Sequence, residues 1–170
     1  LFALDSTDYV NGVFSPNVIS LSGAGNFSRD ELSYYLAGSS ASVRLLIEST
    51  RAGMVAGSSS EDIETMFQLL YLKWTQPKAD RSVFELAKKR SIENYQSKNI
   101  TDQTIFFRDL NYLMKGEDYV TREMTDSVME AQLQFDRMVP LFHQAFGDAN
   151  GFTFVIISDM GLDKLTPYIE

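Results

Sequence analysis

The feature that most constrains this chain is the run "FTFVIIS" at residues 152–158. It is too short for a helix, rich in β-branched and aromatic residues, and follows the turn sequence "GDANG", so it reads as a strand. Because it is apolar at odd and even positions alike, it is expected to be an internal strand covered on both faces. A chain with such a strand must supply neighbouring strands and a layer to cover them. "SVRLLIEST" alternates as a strand should, Arg51-Ala52-Gly53 supplies a turn, and "GMVAGSS" reads as a shorter hairpin partner.

Helices outnumber these strands. Ser28 followed by Glu31 forms a capping box, which predicts a helix over 29–37 with Leu32, Tyr35 and Leu36 on its buried side and Gly38 at its end. Ser60 is read as the cap of a helix beginning at Glu61 and Asp62 and running to Thr75, ahead of Pro77. Its residues Ile63, Met66, Phe67, Leu70 and Trp74 recur at helical spacing and predict a core helix. A further helix starts near Asp80 with Val83, Phe84, Ala87 and Tyr95 near one face, and another spans 101–116 around Phe106, Phe107, Leu110 and Leu113. Residues 117–125 read as loop. "SVMEAQLQFDRMVPLFHQAF" is helical with a break near Asp136, expected as a cap that puts Pro140 in a first turn, and a last helix starts near Leu162. The expected class is α+β, with helices packed on one face of a mostly antiparallel sheet that is incomplete in this chain. No internal linker divides residues 1–170, which are expected to form one domain.

With 23 acidic against 15 basic residues the formal net charge is -8, and no basic stripe is present to neutralise phosphates. Nucleic acid and anionic membranes are therefore not expected partners. Cysteine is absent, which removes disulfides, thiolate metal sites and cysteine nucleophiles. No run reaches the length of a membrane span, and "LFALDSTDYV" has neither a basic nor an apolar signal region. A start at Leu1 suggests a piece of a longer chain.

Candidate chemistry is sparse. His143, the single histidine, sits beside Phe142 and Phe146 without an orienting partner or companion ligands, so it reads as an ordinary helix histidine. Glu61/Asp62 and Asp5/Asp8 stand at helix starts, where acids cap and complement the dipole. Asp109 and Glu117 have no partner pattern. No Gly-x-Ser-x-Gly elbow occurs. The aromatic residues read as core packing. "SGAGNFSRDEL" could cradle an anion at a helix start, but it lacks a third glycine and a Walker lysine, so a turn is the better reading. No catalytic, metal-binding or substrate-binding residue is assigned from these patterns.

Three separated stretches, "SGAGNFSRDELSYYLAG", "GSSSEDIETMFQLLYLKWTQPKADRSVFE" and "FGDANGFTFVIISDMGLDKLTPYI", occur in an order that resembles the pitrilysin/insulinase-like zinc metallopeptidases, the inverzincins. The match is to the domain opening the second, non-catalytic half of those two-halved proteins, and it covers nearly the whole chain. The resemblance implies a processing-peptidase-like metallohydrolase fold. In the family's active half, His-x-x-Glu-His on a helix supplies two zinc ligands and the glutamate that activates water. With Gly23 matched to the turn glycine after that helix and Phe27 to its aromatic, the motif falls on Phe14-Ser15-Pro16-Asn17-Val18. The register from Phe84 places the third ligand near Ala87. Neither these residues nor Glu85 alone could hold the metal.

The resemblance therefore implies a non-catalytic copy that helps enclose peptide substrate in a chamber, with contact by strand addition where a sheet edge faces it. Zinc is expected only in a catalytic half outside this chain, and the remaining domains of the same protein are the expected partners. The substrate-binding Arg/Tyr motif of the family's last domain is not recognisable. The alternative is an assembly module of a larger complex without peptidase activity, and a third possibility is an independent enzyme active as these 170 residues. By analogy with exported bacterial relatives, the periplasm is the expected location. The family domain opens with strands ahead of the pseudo-catalytic helix, so part of the sheet is expected to be missing. Residues 152–158 are expected to lie beside the hairpin at 43–49 in one sheet.

Overall fold

The computed structural model describes residues 3–98 and 100–169. In chain order the elements are α1 (Tyr9–Leu21), α2 (Arg29–Tyr35), β1 (Ser42–Ile47), β2 (Ala52–Gly57), α3 (Ile63–Thr75), α4 (Arg81–Gln96), α5 (Asp102–Lys115), α6 (Asp126–Gln132), α7 (Met138–Phe146) and α8 (Leu162–Ile169). Short 3-10 turns at Ser60–Asp62, Phe135–Arg137 and Ala149–Gly151 connect them. The architecture is α+β. β1 and β2 form an antiparallel hairpin in register from Ser42 opposite Gly57 to Ile47 opposite Ala52. Leu45 and Ile47 are buried on the face covered by the helices.

Helix α1 runs through the middle of the molecule. On one side Ile19, with Leu4 before the helix, joins Leu45, Ile47, Leu141, Phe142, Ala145 and Phe146 in one apolar cluster. On the other, Val10, Phe14 and Val18 pack with Phe84, Met129, Leu133 and Met138 in a second. A helix buried on both sides has no polar face, so its sequence lacks the one-sided stripe that marks a surface helix. That is why residues 9–13 and 19–21 are not recognisable as helix from periodicity.

The helix also carries Pro16 in its interior. A proline there has no N–H for the carbonyl four residues back, which is that of Gly12. Ser15, fully buried, donates its hydroxyl to the Gly12 carbonyl at 2.8 Å and supplies the missing bond. A Cβ at Gly12 would stand 2.4 Å from Cδ1 of buried Leu4, which would have to shift to admit it. Asn11, also buried, donates to the Gln132 carbonyl at 2.9 Å and accepts from the Gln134 amide at 2.8 Å. It thereby satisfies the irregular backbone where α6 ends. Asp5 accepts from the amides of Thr7 and Asp8 at the start of the chain's first turn, and Asp8 pairs with Arg137 beside α7.

Several local expectations hold. Ser28 and Glu31 form the capping box, Asp80 caps α4 through the amides of Ser82 and Val83, and Thr101 and Gly116 bound α5. Others are corrected. The hairpin turn lies at 48–51, where the Glu48 amide donates to the Arg51 carbonyl at 2.8 Å, rather than at 51–53. Tyr35 is 68% exposed, because α2 is short and leans on the body only through neighbours such as Leu32 and Leu36, which are half-buried. Ser60 does not cap α3. It lies in a 3-10 turn with Glu61 and Asp62, and its hydroxyl donates to Asp159 at 2.9 Å. Asp136 is not a cap either; it lies within the turn at Phe135–Arg137 and faces Arg81.

The largest correction concerns residues 152–158. They form no ladder with β1, β2 or any other described strand, and Phe154, Val155, Ile156 and Ile157 are exposed. The apolar run is unpaired, so the single sheet expected to join it to the hairpin is not formed. Apolar residues at odd and even positions alike describe a strand covered on both faces, and the described residues leave this run exposed.

The Ser15 hydroxyl gives a direct test. Ser15→Ala leaves the buried Gly12 carbonyl without a donor and is expected to cost about 1–3 kcal/mol, measured as a lowered urea midpoint at unchanged m-value.

Candidate functional site

The positions that the resemblance matches to a zinc motif lie on α1 and face α4. Phe14 and Val18 are buried, and the Phe14 ring meets Phe84 edge-on with centroids 6.2 Å apart. Ala87, one turn further along α4, packs against the same cluster. The fold therefore brings together the two elements that would carry ligands. What meets there is an apolar contact of Phe14, Val18, Phe84 and Ala87. Ser15 and Pro16 serve the backbone of α1 as described, and Asn17 is exposed. Glu85 is exposed on α4, away from the buried Phe84. Among the described residues no group of His, Cys, Asp or Glu side chains is arranged to hold a metal ion.

The second feature is an open cleft of about 1160 Å³ between β2 and residues 152–158. Met66, Phe67, Leu70 and Trp74 of α3 form its floor. These residues are half-buried, whereas Ile63, Leu69 and Lys73 are the buried ones. Helix α3 thus divides its apolar surface between core and cleft, which corrects the reading of that whole stripe as core. Trp74 packs edge-on against Phe146 and Phe152, with centroids 5.5 Å and 4.9 Å away, and stacks on Phe154 at 5.9 Å. It anchors the start of the 152–158 run to the core.

Buried Lys73 was not foreseen. Its ammonium group donates to the Ser20 carbonyl at 3.3 Å, in the last turn of α1. A cation there meets the negative end of the helix dipole, while burial pushes its pKa below that of an ordinary lysine.

The remaining candidates do not converge. His143 is exposed on α7, its ring edge-on to that of Phe142. Asp109 pairs with its neighbour Arg108 at 2.8 Å, and Glu117 is exposed. The glycine loop is a turn. Ala24 and Phe27 exchange backbone bonds of 3.2 Å and 3.0 Å, and the Gly25 amide donates to the Gln76 carbonyl at 2.9 Å. The Ala24, Gly25 and Phe27 amides are thus engaged by carbonyls rather than free to cradle an anion. Gly25 takes φ +54°, and at Gly23 a Cβ would stand 2.0 Å from the Phe27 carbonyl oxygen. Not all aromatic residues are core: Tyr34, Phe106 and Phe107 are exposed, the last two on α5, which has no buried residue.

Near one end of the cleft, a hydroxyl-rich latch ties the two ends of the hairpin together. The Asp62 carboxylate accepts from the Ser40 amide and hydroxyl, both at 2.7 Å, and from the Ser59 hydroxyl at 3.2 Å. Bonds from Ser40 lead the causes that hold the Asp62 carboxyl at about 2, below its ordinary 3.8.

No family model matches the chain, and no curated protein matches it. Similar folds occur among solved structures. The periplasmic protease PqqL from Escherichia coli superposes with a TM-score of 0.76 at 17% identity, over 98% of this chain and 18% of PqqL. The ferredoxin protease FusC, solved in complex with Arabidopsis ferredoxin, gives 0.71 at 16% identity, over 95% of this chain and 18% of FusC. A conserved protein from Enterococcus faecalis gives 0.62 at 10% identity, over 84% of this chain and 38% of that one. The chain has the fold of a domain found in proteases and spans about a fifth of the length of the two named ones.

The depressed Asp62 pKa predicts an acid-sensitive latch. A carboxylate whose folded pKa lies below its unfolded one adds stability above the unfolded value and loses it as pH falls towards the folded one. Its contribution is therefore expected to be full above 3.8 and to fade towards about 2. Asp62→Asn should lower the thermal midpoint at neutral pH, and the gap to the parent chain should narrow across that window.

Proposed function

We propose that this chain is a non-catalytic domain of a zinc metallopeptidase, which helps enclose peptide substrate in a chamber formed with other domains of the same protein. The observation that carries this reading is the α1–α4 contact. A fold shared with parts of two proteases has Phe14, Val18, Phe84 and Ala87 where the resemblance would require metal ligands. Packing has been kept and chemistry has not.

Zinc, on this reading, belongs to a catalytic half with its own His-x-x-Glu-His, where it would polarise the scissile carbonyl and activate water. This chain contributes wall and shape. Its exposed aromatic residues on α2 and α5 suit contact with neighbouring domains, since apolar surface of that kind gains by being covered. The periplasmic location of PqqL favours the same compartment here.

An assembly role without any peptidase activity is favoured by the same loss of ligand-type residues. The full-length protein separates the two. The isolated chain is expected to cleave no peptide with or without added zinc. A full-length protein that carries His-x-x-Glu-His should cleave peptides and lose that activity when this domain is deleted. Zinc-dependent cleavage by the isolated chain overturns both readings. A full-length protein without the motif, and without cleavage, supports the assembly role.

A further inference from the structure

We propose that the recess where the end of α1, helix α2, the start of β1 and helix α3 meet is a binding site for a carboxylate carried on a small apolar group. Lys73 and Arg29 supply its charge, and aliphatic side chains supply its wall. The inference goes beyond the peptidase reading and does not rest on it.

Its starting point is a buried charge without a counter-charge. Lys73 is 5% exposed, and among the described residues its ammonium group forms no ion pair. Its hydrogen bond to the Ser20 carbonyl is long, at 3.3 Å, and an ammonium group carries three donors. Buried charges are ordinarily paired, because the cost of taking them out of water must be offset. The negative end of α1 offsets part of that cost, being equivalent to about half an elementary charge. The surrounding side chains add no anion, and burial accordingly pushes the Lys73 pKa down. An anion beside the ammonium group would act in the opposite sense.

Lys73 lines a recess of about 270 Å³. Arg29, in the first turn of α2, lines it as well, and it is exposed and forms no ion pair among the described residues. No Asp or Glu side chain lines the same recess. In a chain with 23 acidic and 15 basic residues, two cations without an acid make a local reversal of charge that favours an anion.

The rest of the lining selects among anions. Leu32 and Leu36 of α2 and Val43 of β1 are half-buried, and Leu69 of α3 is buried. Inorganic phosphate would meet the two cations but leave this aliphatic wall unused, whereas a carboxylate on a branched aliphatic group uses both. The recess is smaller than the roughly 300–1,000 Å³ of a site for a drug-sized ligand, and it suits one side chain with its acid group. Two sources carry that chemistry: a free branched-chain acid, and the C-terminal residue of a peptide ending in leucine or valine.

The test is an NMR titration of the isotopically labelled 170-residue chain, read at the amides of Leu32, Leu36 and Val43 and at the Lys73 side chain. N-acetyl-leucine is expected to give saturable shifts with a dissociation constant on the order of 1 mM. N-acetyl-leucinamide keeps the shape and lacks the charge, and should bind at least about ten-fold more weakly. Lys73→Met should weaken the acid by about ten-fold or more, and the exposed Arg29→Gln by about three-fold. Isovalerate and acetyl-Ala-Ala-Leu with a free carboxylate distinguish the two sources; both are expected to bind, and the tighter one identifies the source. If Lys73→Met does not fold, the comparison of acid with amide on the parent chain and the Arg29→Gln variant decide the matter. Acid and amide binding equally, inorganic phosphate binding as tightly as N-acetyl-leucine, or undiminished binding of the acid by both variants would each overturn the proposal. So would shifts that fail to saturate by about 20 mM. None of these outcomes depends on whether the full-length protein cleaves peptides.

Discussion

The burial of α1 on two sides is the constraint from which the rest of the structure follows. Because Ile19 reaches the hairpin and α7 while Phe14 and Val18 reach α4 and α6, one helix joins two apolar clusters that would otherwise be separate. Burying several large side chains at about 1.5–3 kcal/mol each makes this helix the main apolar anchor. It also leaves no space for polar groups that are not satisfied inside. Beside Lys73, three further polar residues buried in or next to it each answer a specific backbone need. Ser15 replaces the bond that Pro16 cannot make, Asn11 serves the irregular end of α6, and Ser22 donates to the Val18 carbonyl while accepting from the Asp80 amide ahead of α4.

That constraint links fold to function. A metal centre at the α1–α4 contact would need polar ligands held in place by hydrogen-bonding partners behind them, and the residues present close an apolar contact instead. The remaining irregularities lie at the periphery. The open edge of β2, the unpaired run at 152–158 and the bare faces of α2 and α5 are features that an isolated protein ordinarily avoids, since free edges and apolar patches invite association. In a domain set among others, each becomes a contact.

Much of this was legible from residues whose effect is local. Ser28 with Glu31, Asp80, Thr101 and Gly116 mark helix boundaries because capping bonds act within a single turn. The hairpin is legible because alternation is a period of two, but its turn is not: Gly53 suggests a bend at 51–53, whereas the bond between Glu48 and Arg51 decides where it falls. The centre of the fold was harder to read. Helix α1 has no polar face to give it a period, so the central element was visible only through the family resemblance. Residues 152–158 carry the composition of an internal strand, but pairing is decided by which neighbours are present. Composition could not show that α3 turns one side of its stripe to the core and another to a cleft, nor that Lys73 is buried at the end of α1.

The central claim is that a protease-domain fold here holds side-chain packing at the place where the resemblance would put zinc. Its most direct test is the metal content of the isolated chain, measured by plasma mass spectrometry after equilibration with excess zinc and removal of loosely bound ions. A built site of three protein ligands would retain one ion per chain, because such ligands bind tightly when the fold presents them. The structure predicts only substoichiometric zinc, with the same thermal midpoint before and after exposure to a chelator. One tightly held ion per chain, lost on chelation with a fall in that midpoint, would contradict it.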